Sequence, residues 1–499
     1  MKDLFSGGIS ISDMDLEYGW HISGRPGSGK TTLLSRAVLD ALGERRGMTI
    51  LSPGGEAVDM VLQAVPPEDS DRIRIIRLGD GDSPVPLSLW SSSDPEEQML
   101  LIRSLCRMLR PENDEEMTRG GQTWENSFSA FAQASIVLFG RRAGFGTIEL
   151  LASHPQATIR RLRQMDPALA DRISVLMRET GRGEREPFVR MRGRLVGFLN
   201  SPQLLRLFGT GKNVLTDEDL CPPDAVTLVD LGASVWGDDT AGLLGGVVLL
   251  ELLARDGREG RNGSGHLVLV DDADMIPAPA ISELLQSGNR LGWGTVLTTG
   301  RSRELKENLA RDLERFCWSF TALSQSPGDA GRAAVLLGAP ERADALCQLD
   351  AGHGLSVLRT GGRRTAILSS EAEPIAGQAD RSICAVRIEV HSRQSLSDPW
   401  RDVVPLTRQR AEELLTHMGD LAAISLFDNV RDSEKNTASS SWQPVVPGSW
   451  VDKWVHYKLT GAGVEETETR SDERVDAELS DCEFPEEDLW YDETEDSEW

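Results

Sequence analysis

The run Gly24-Arg25-Pro26-Gly27-Ser28-Gly29-Lys30-Thr31-Thr32 constrains this chain more than any other feature of it. From Gly24 through Thr31 it fits the pattern G-x-x-x-x-G-K-[ST], with a short strand, Gly19 to Ser23, in front of it. Behind it Thr31 to Leu42 reads as a helix, because Leu33, Leu34, Ala37, Val38 and Leu42 fall on one face. The glycines let the loop turn its N–H groups inward and the positive end of the helix faces the same point, so the segment is suited to surround phosphates. In that arrangement Lys30 binds the β and γ phosphates of ATP and Thr31 ligates Mg²⁺, with Gly24 to Thr32 forming the nucleotide cradle. A glycine-rich turn that merely feeds a helix would share these letters, but the strand before and the helix after set this one apart.

Strands and helices alternate beyond the loop. Met48 to Ser52 is an apolar strand closed by Pro53-Gly54-Gly55, Ala57 to Ala64 is helical, and Arg72 to Leu78 is a strand. Between about Asp94 and Gly211 amphipathic helical segments take over: Glu97 to Leu109, Trp124 to Leu138, Ile148 to Leu151, Thr158 to Gln164, Ala168 to Thr180 and Phe188 to Leu199. Alternation resumes with strand Val226 to Leu231, helix Thr240 to Arg255, strand His266 to Val270, helix Ala280 to Asn289 and strand Thr295 to Thr299. Further strands are expected at Cys317 to Ala322, Leu355 to Arg359, Thr365 to Leu368 and Ala385 to Val390, and a helix at Thr407 to Phe427. Most of these strands are continuous apolar runs, which points to a parallel sheet covered on both faces. The expected fold class is α/β, with a mostly parallel central sheet and an inserted all-α domain.

At 499 residues the chain exceeds one compact core and suffices for two domains with tails. Its longest apolar stretch, Ala241 to Ala254, contains Glu251 and falls short of the roughly 20 residues a bilayer-spanning helix needs. With no secretory leader legible at the start, a cytoplasmic location is expected. The cysteines at 106, 221, 317, 347, 384 and 482 form no C-x-x-C pair, which argues against a zinc site or a disulfide framework. The formal net charge of −26 is uneven: Glu465 to Trp499 holds 17 acidic and 2 basic residues, whereas Arg141 to Arg194 holds 12 arginines against 6 acids.

A phosphoryl-transfer site of this type also requires one carboxylate on the metal side and another that orients the attacking water. The stretch His266 to Asp272 supplies both, Asp271 as the metal-side residue and Asp272 as the catalytic one. The bland alternative is that the two aspartates only open a loop and cap the next helix. Arg290 and Arg301 bracket the strand Thr295 to Thr299, so either suits the arginine that such enzymes take from a neighbouring subunit, or is an exposed structural arginine.

With these pieces in order, residues 15 to 372 resemble the HerA/FtsK superfamily and, within it, the coupling ATPases of type IV secretion and conjugation, the TraG and TraD kind. Ser52-Pro53-Gly54-Gly55 stands where that family has a D-P-K-G-like motif, and Val65-Pro66-Pro67-Glu68 matches its "iPe" segment. Leu87-Ser88-Leu89-Trp90 loosely matches an F-N-P-L-like motif, and Leu228-Val229-Asp230-Leu231 its "vDL" strand. Asp271-Asp272-Ala273 corresponds to the D-E-A Walker B motif, and Gly352-His353-Gly354-Leu355 to the last G-x-a element. Gly288-Asn289-Arg290-Leu291-Gly292 is similar to the segment carrying the trans arginine finger, which makes Arg290 the preferred candidate. The resemblance implies a RecA-like P-loop NTPase fold, a ring oligomer, hexameric in the family, and ATP-driven movement of DNA. Three departures stand out: Asp272 replaces a glutamate, Thr298-Thr299-Gly300-Arg301 lacks the sensor glutamine of a "tQ" motif, and a membrane anchor like that of typical coupling proteins is not expected from these residues.

The domain reading is a first ATPase part at 1–93, the all-α insertion at 94–215, a second ATPase part with Walker B at 216–372, an extension at 373–430 and a flexible acidic tail at 431–499. The arginine-rich insertion is the candidate surface for non-sequence-specific DNA contact, or else a solvated face paired with its own glutamates. The tail is a solubilising extension, a docking peptide for a basic partner such as a relaxase or accessory DNA-binding protein, or a DNA mimic. The expected function is a DNA-translocating motor in conjugative or mobile-element transfer, peripheral to a membrane secretion complex or free of it. Two rivals stand beside it: a packaging or defence motor, and a slow-turnover ATP-binding switch or scaffold.

Overall fold

The computed structural model describes residues 13–80, 85–109, 120–179, 224–256, 266–300 and 307–371, apart from breaks at 88, 91–94, 361–362 and 366. It also describes residue 305 and single positions between 192 and 208 and between 385 and 415. In chain order, α1 (Asp13–Leu16) precedes β1 (Trp20–Ser23), whose four residues are all buried. After the glycine loop comes α2 (Lys30–Gly43), which starts where Gly29, at φ 98°, ends the loop in a left-handed conformation open to glycine. Then come β2 (Met48–Ser52), α3 (Glu56–Ala64) and β3 (Ile73–Arg77). Five helices follow: α4 (Pro95–Leu109), α5 (Gly120–Phe139), α6 (Phe145–Ser153), α7 (Pro155–Met165) and α8 (Pro167–Glu179).

The second α/β part begins with β4 (Val226–Asp230), α9 (Ala233–Trp236), α10 (Asp238–Asp256) and β5 (Leu267–Val270). A 3-10 turn, Ala273–Met275, leads to α11 (Ala278–Arg290) and β6 (Gly294–Thr299). Next are α12 (Glu307–Phe316), β7 (Ser319–Leu323), α13 (Pro327–Leu337), α14 (Ala343–Cys347) and β8 (His353–Val357). The short hairpin β9 (Arg359–Thr360) and β10 (Arg363–Arg364) and the strand β11 (Leu368–Glu371) complete the described elements.

Nine strands form one sheet in the order β11-β8-β7-β1-β6-β5-β2-β4-β3. From β7 to β3 every pairing is parallel, and β8 and β11 join antiparallel at the far edge. The apolar runs of the inner strands divide residue by residue between two faces, as the period of two requires. Leu267 and Leu269 pack with Leu33, Val38 and Val61 under α2 and α3, whereas Val268 and Val270 pack with Val248 and Leu284 under α10 and α11. That double burial explains why these strands read as continuous rather than alternating hydrophobic stretches.

The inserted helices have no core of their own. Ile102, Leu105, Phe128 and Phe131 belong to the same apolar cluster as Leu51, Val229 and Val270 of the sheet, and α4 packs on both α10 and α11. The close approach depends on glycines of α10: a Cβ at Gly245 would meet Leu231 and Ile276, and one at Gly246 the sulfur of Met108. Trp124, Phe128 and Phe131 are thus packing groups, as their helical spacing suggests.

One expected strand is shifted, because β11 (Leu368–Glu371) shares only Leu368 with the expected Thr365 to Leu368, and another is replaced. At Ala385 to Val390 the described positions Ala385, Ile388 and Glu389 are helical, as is Ser392 just beyond. Val386, Ile388 and Val390 alternate, but Ala385, Ile388 and Ser392 are spaced for a helix face, and Ile388 is buried against the core. Ser392 then caps the outer strand, its Oγ accepting the Ile75 N–H at 3.1 Å. The segment Phe188 to Leu199 and the acidic end fall outside the described residues, save for isolated positions of the former.

A Cβ at Gly242 of α10 would overlap the Met275 carbonyl oxygen in the turn after β5. Gly242→Ala is therefore expected to destabilise the fold by about 1–3 kcal/mol, read as a lower urea midpoint at unchanged slope.

Candidate active site

The glycine loop leaves the C-terminal end of β1 and is stitched to three separate turns. Gly24 N–H donates to the Thr299 carbonyl at 3.2 Å, Arg25 N–H to the Ser324 carbonyl at 2.9 Å, and Gly352 N–H to the Ser28 carbonyl at 2.9 Å. Gln325 adds a fourth tie, its Nε2 donating to the Ser23 carbonyl at 2.8 Å. Gly27, at φ 74°, turns the loop crest. Among the described residues no backbone carbonyl accepts from the N–H groups of Gly27, Gly29, Lys30, Thr31 or Thr32. Arg25, Pro26 and Gly27 are exposed, while Ser28 and Lys30 are buried. A rim of free donors at the start of a 14-residue helix fits an oligophosphate.

Strand order then brings the acidic pair to the same edge, because β5 lies one strand beyond β6, the neighbour of β1. Thr31 Oγ1 donates to Asp271 Oδ2 at 3.1 Å, and Lys30 Nζ stands 3.6 Å from Asp272 Oδ1. Thr31 and Asp271 offer two hard oxygens at a separation close to the ~2.9 Å edge of an octahedral Mg²⁺ sphere, so the residues fit the metal that the motif implies. Asp272 occupies the left-handed region at φ 40°, ψ 55°, and this kink sends its half-exposed carboxylate toward Lys30.

Two further residues fix this turn, in roles that the sequence did not show. The buried Thr298 donates its hydroxyl to Asp271 Oδ1 at 2.7 Å and accepts the Asp272 N–H at 2.8 Å. Asp274 accepts the Gly300 N–H at 3.1 Å. A Cβ at position 300 would lie 3.5 Å from Asp274 Oδ2 and 4.0 Å from Asp272 Oδ1, so a side chain there would address the acidic turn, and glycine supplies none. Arg301 lies outside the described residues.

Arg290 is not brought to this cleft. It ends α11, just before the N-terminal end of β6, whereas the loop sits at the other end, where Thr299 pairs with Ser23. The six residues of β6 put roughly 17 Å between those ends. The exposed Arg290 guanidinium donates instead to Ser287 Oγ at 2.7 Å.

Burial, reinforced by the neighbouring Asp272 charge, pushes the Asp271 carboxyl up to about 6. His21, beneath the loop and 2.8 Å from Thr299 Oγ1, is held neutral, its pKa lowered to about 3 by burial and by Arg332.

The sheet order and this cleft define the fold of a RecA-like P-loop NTPase. Among solved structures, the fold is shared by the conjugative coupling protein TrwB, the kind of protein whose motifs this sequence resembles. TrwB in complex with the non-hydrolysable GTP analogue GDPNP superposes with a TM-score of 0.53 at 13% identity, over 76% of this chain and 91% of that one. TrwB in complex with ADP and Mg²⁺ gives 0.53 at 12% identity over the same shares, and the unbound monoclinic form of TrwBΔN70 gives 0.52 at 13%, over 74% and 88%. At such identities the likeness is one of fold. No family model and no curated protein matches the sequence. Among the described residues no helix is long and apolar enough to cross a membrane.

The Asp271 value carries a sign. Its folded pKa of about 6 exceeds the ordinary 3.8, so the folded state holds the proton more tightly; that contribution is complete below 3.8 and is lost as pH rises through 6. Asp271→Asn removes the charge; its amide oxygen still accepts from Thr298, while its NH2 donates to Thr31 Oγ1 in a bond of reversed direction. The nucleotide-free variant is expected to be more stable than the native protein at pH 7–8, by up to about 3 kcal/mol, with the advantage shrinking toward pH 5 in chemical unfolding.

Proposed function

We propose that this chain is an ATP-driven motor on DNA, of the HerA/FtsK and coupling-protein type, acting in conjugative or mobile-element transfer. The observation that carries the reading is the convergence of Thr31, Asp271, Lys30 and Asp272 beside free loop N–H groups at one edge of the sheet. The loop N–H groups and Lys30 bind the phosphates of ATP, Thr31 and Asp271 hold the Mg²⁺, and Asp272 orients the attacking water. Mg²⁺, when bound, neutralises charge on the β and γ oxygens. Asp272 is then the general partner of the water, and Lys30 follows the γ-phosphate as charge builds on it.

Arg290, some 17 Å of strand away from its own loop, acts in trans. Copies arranged as a ring, six in the family, place it against the next subunit's γ-phosphate. The hairpin of α7 and α8 presents Arg160, Arg163, Arg172 and Arg178 to solvent, and these grip DNA phosphates without reading sequence. The acidic segment after Glu465 docks a basic partner, a relaxase or an accessory DNA-binding protein. A slow-turnover switch is the second reading, favoured by the bare Gly300 beside Asp272.

ATP turnover measured with and without DNA tests the proposal. DNA is expected to stimulate the native protein, and Lys30→Ala and Asp272→Asn each to abolish the stimulated rate; tight nucleotide binding without DNA-stimulated turnover sinks the motor in favour of the switch. Arg290→Ala is expected to lower turnover about a thousandfold, and mixing it with Lys30→Ala to restore part of the rate, because mixed rings pair an intact loop with an intact arginine. Removing Arg160 and Arg163 together should flatten the salt dependence of DNA binding by about 0.7–0.9 for each phosphate that is no longer neutralised.

A further inference from the structure

The two acidic residues after β5 have different tasks, yet they are adjacent, and a freely turning peptide between them would let either lose its place. Asp272 moreover holds a left-handed conformation that L residues rarely adopt. Something outside the turn has to hold it. One hydroxyl reaches both residues: Thr298 Oγ1, fully buried in β6, donates to Asp271 Oδ1 and accepts from Asp272 N–H. The direction of these bonds is set by chemistry, because an N–H only donates and a hydroxyl has one proton to give. With Oδ1 occupied by Thr298, the other Asp271 oxygen is left facing Thr31.

We infer that Thr298 is a positioning residue for the proposed hydrolysis, setting Asp271 toward the Mg²⁺ side and Asp272 toward the water through a single hydroxyl. The assignment rests on the reading of the cleft as an ATP-hydrolysing site. The end of β6 is tied across the cleft at three successive positions: Thr298 to the acidic pair, the Thr299 carbonyl to Gly24 N–H, and Gly300 N–H to Asp274. Movement of the phosphate loop on nucleotide binding therefore reaches the acidic turn through this strand end, by hydroxyl and backbone rather than by a side chain at position 300. A valine in place of Thr298 keeps the shape and β-branching and removes only the hydroxyl.

The test uses the full chain and the variants Thr298→Val, Thr298→Ser and Thr298→Cys, the last retaining only a weak sulfur donor. Two quantities are read: kcat and KM for ATP, and the factor by which Mg²⁺ tightens binding of a fluorescent ADP. In Thr298→Val both kcat and the Mg²⁺ factor are expected to fall about 10- to 100-fold with KM for ATP little changed; Thr298→Cys follows it, and Thr298→Ser stays near the native values. A valine variant with native kcat and native Mg²⁺ factor overturns the assignment, and so does a serine variant as impaired as the valine one. If valine does not fold, the serine and cysteine variants decide by the same comparison. A native protein without turnover refutes the hydrolysis reading alone; the Mg²⁺ factor still judges Thr298, its loss in valine supporting the assignment and its retention overturning it.

Discussion

Everything at the cleft depends on how the glycine loop is held from below. A loop that leaves its own N–H groups free for a ligand forgoes the internal bonds that would make it rigid. Here the rigidity comes from outside: Thr299 at the end of β6, Ser324 after β7 and Gly352 before β8 each contribute one backbone bond to a different point of the loop, and Gln325 fastens its root at Ser23. Three turns that are far apart in sequence meet there only because β6, β1, β7 and β8 are consecutive in the sheet. The strand order is thus the precondition of the chemistry.

A second dependence runs sideways. The five inserted helices share one apolar cluster with the sheet, and the contact is made by α10, whose glycines admit the turn after Asp272 on one side and Met108 of α4 on the other. A buried helix with so little side-chain volume on that face leaves few ways for its neighbours to move independently, since packed cores tolerate only discrete rearrangements. The arginines of α7 and α8 are connected to the acidic turn through this packing. Further out, Arg161 donates to the Leu415 carbonyl and Ser392 covers Ile75, so the chain beyond β11 touches both the insertion and the outer strand.

Most of the architecture was legible in the sequence because the inner strands are double-buried and their apolar runs cannot be mistaken: Leu267–Val270 and Val226–Asp230 each lie within one residue of the expected His266 to Val270 and Val226 to Leu231. The meeting of Lys30, Thr31, Asp271 and Asp272 at one cleft was legible for another reason, since ligand geometry restricts which residue types a phosphate-binding motif can carry. Helices α12 and α13 were not anticipated, because Glu307 to Phe316 is half charged with a narrow apolar stripe and Pro327 to Leu337 is rich in alanine and glycine. The roles of Thr298 and Gln325 were invisible for a deeper reason. A buried threonine in a strand and a polar residue after one are ordinary in composition, and only the sheet order shows what their side chains reach.

Asp272 is one of two described non-glycine residues with positive φ, the other being Arg45. Short polar side chains enter that region more readily than long ones, because they can bond to nearby backbone and crowd it less. On the proposed reading, position 272 must therefore satisfy two demands at once, a backbone that prefers a small residue and a reaction that requires an acid, and aspartate is the smallest residue that meets both. What looks from the sequence like a glutamate cut short by one methylene is, from the backbone, the acid that the kink admits.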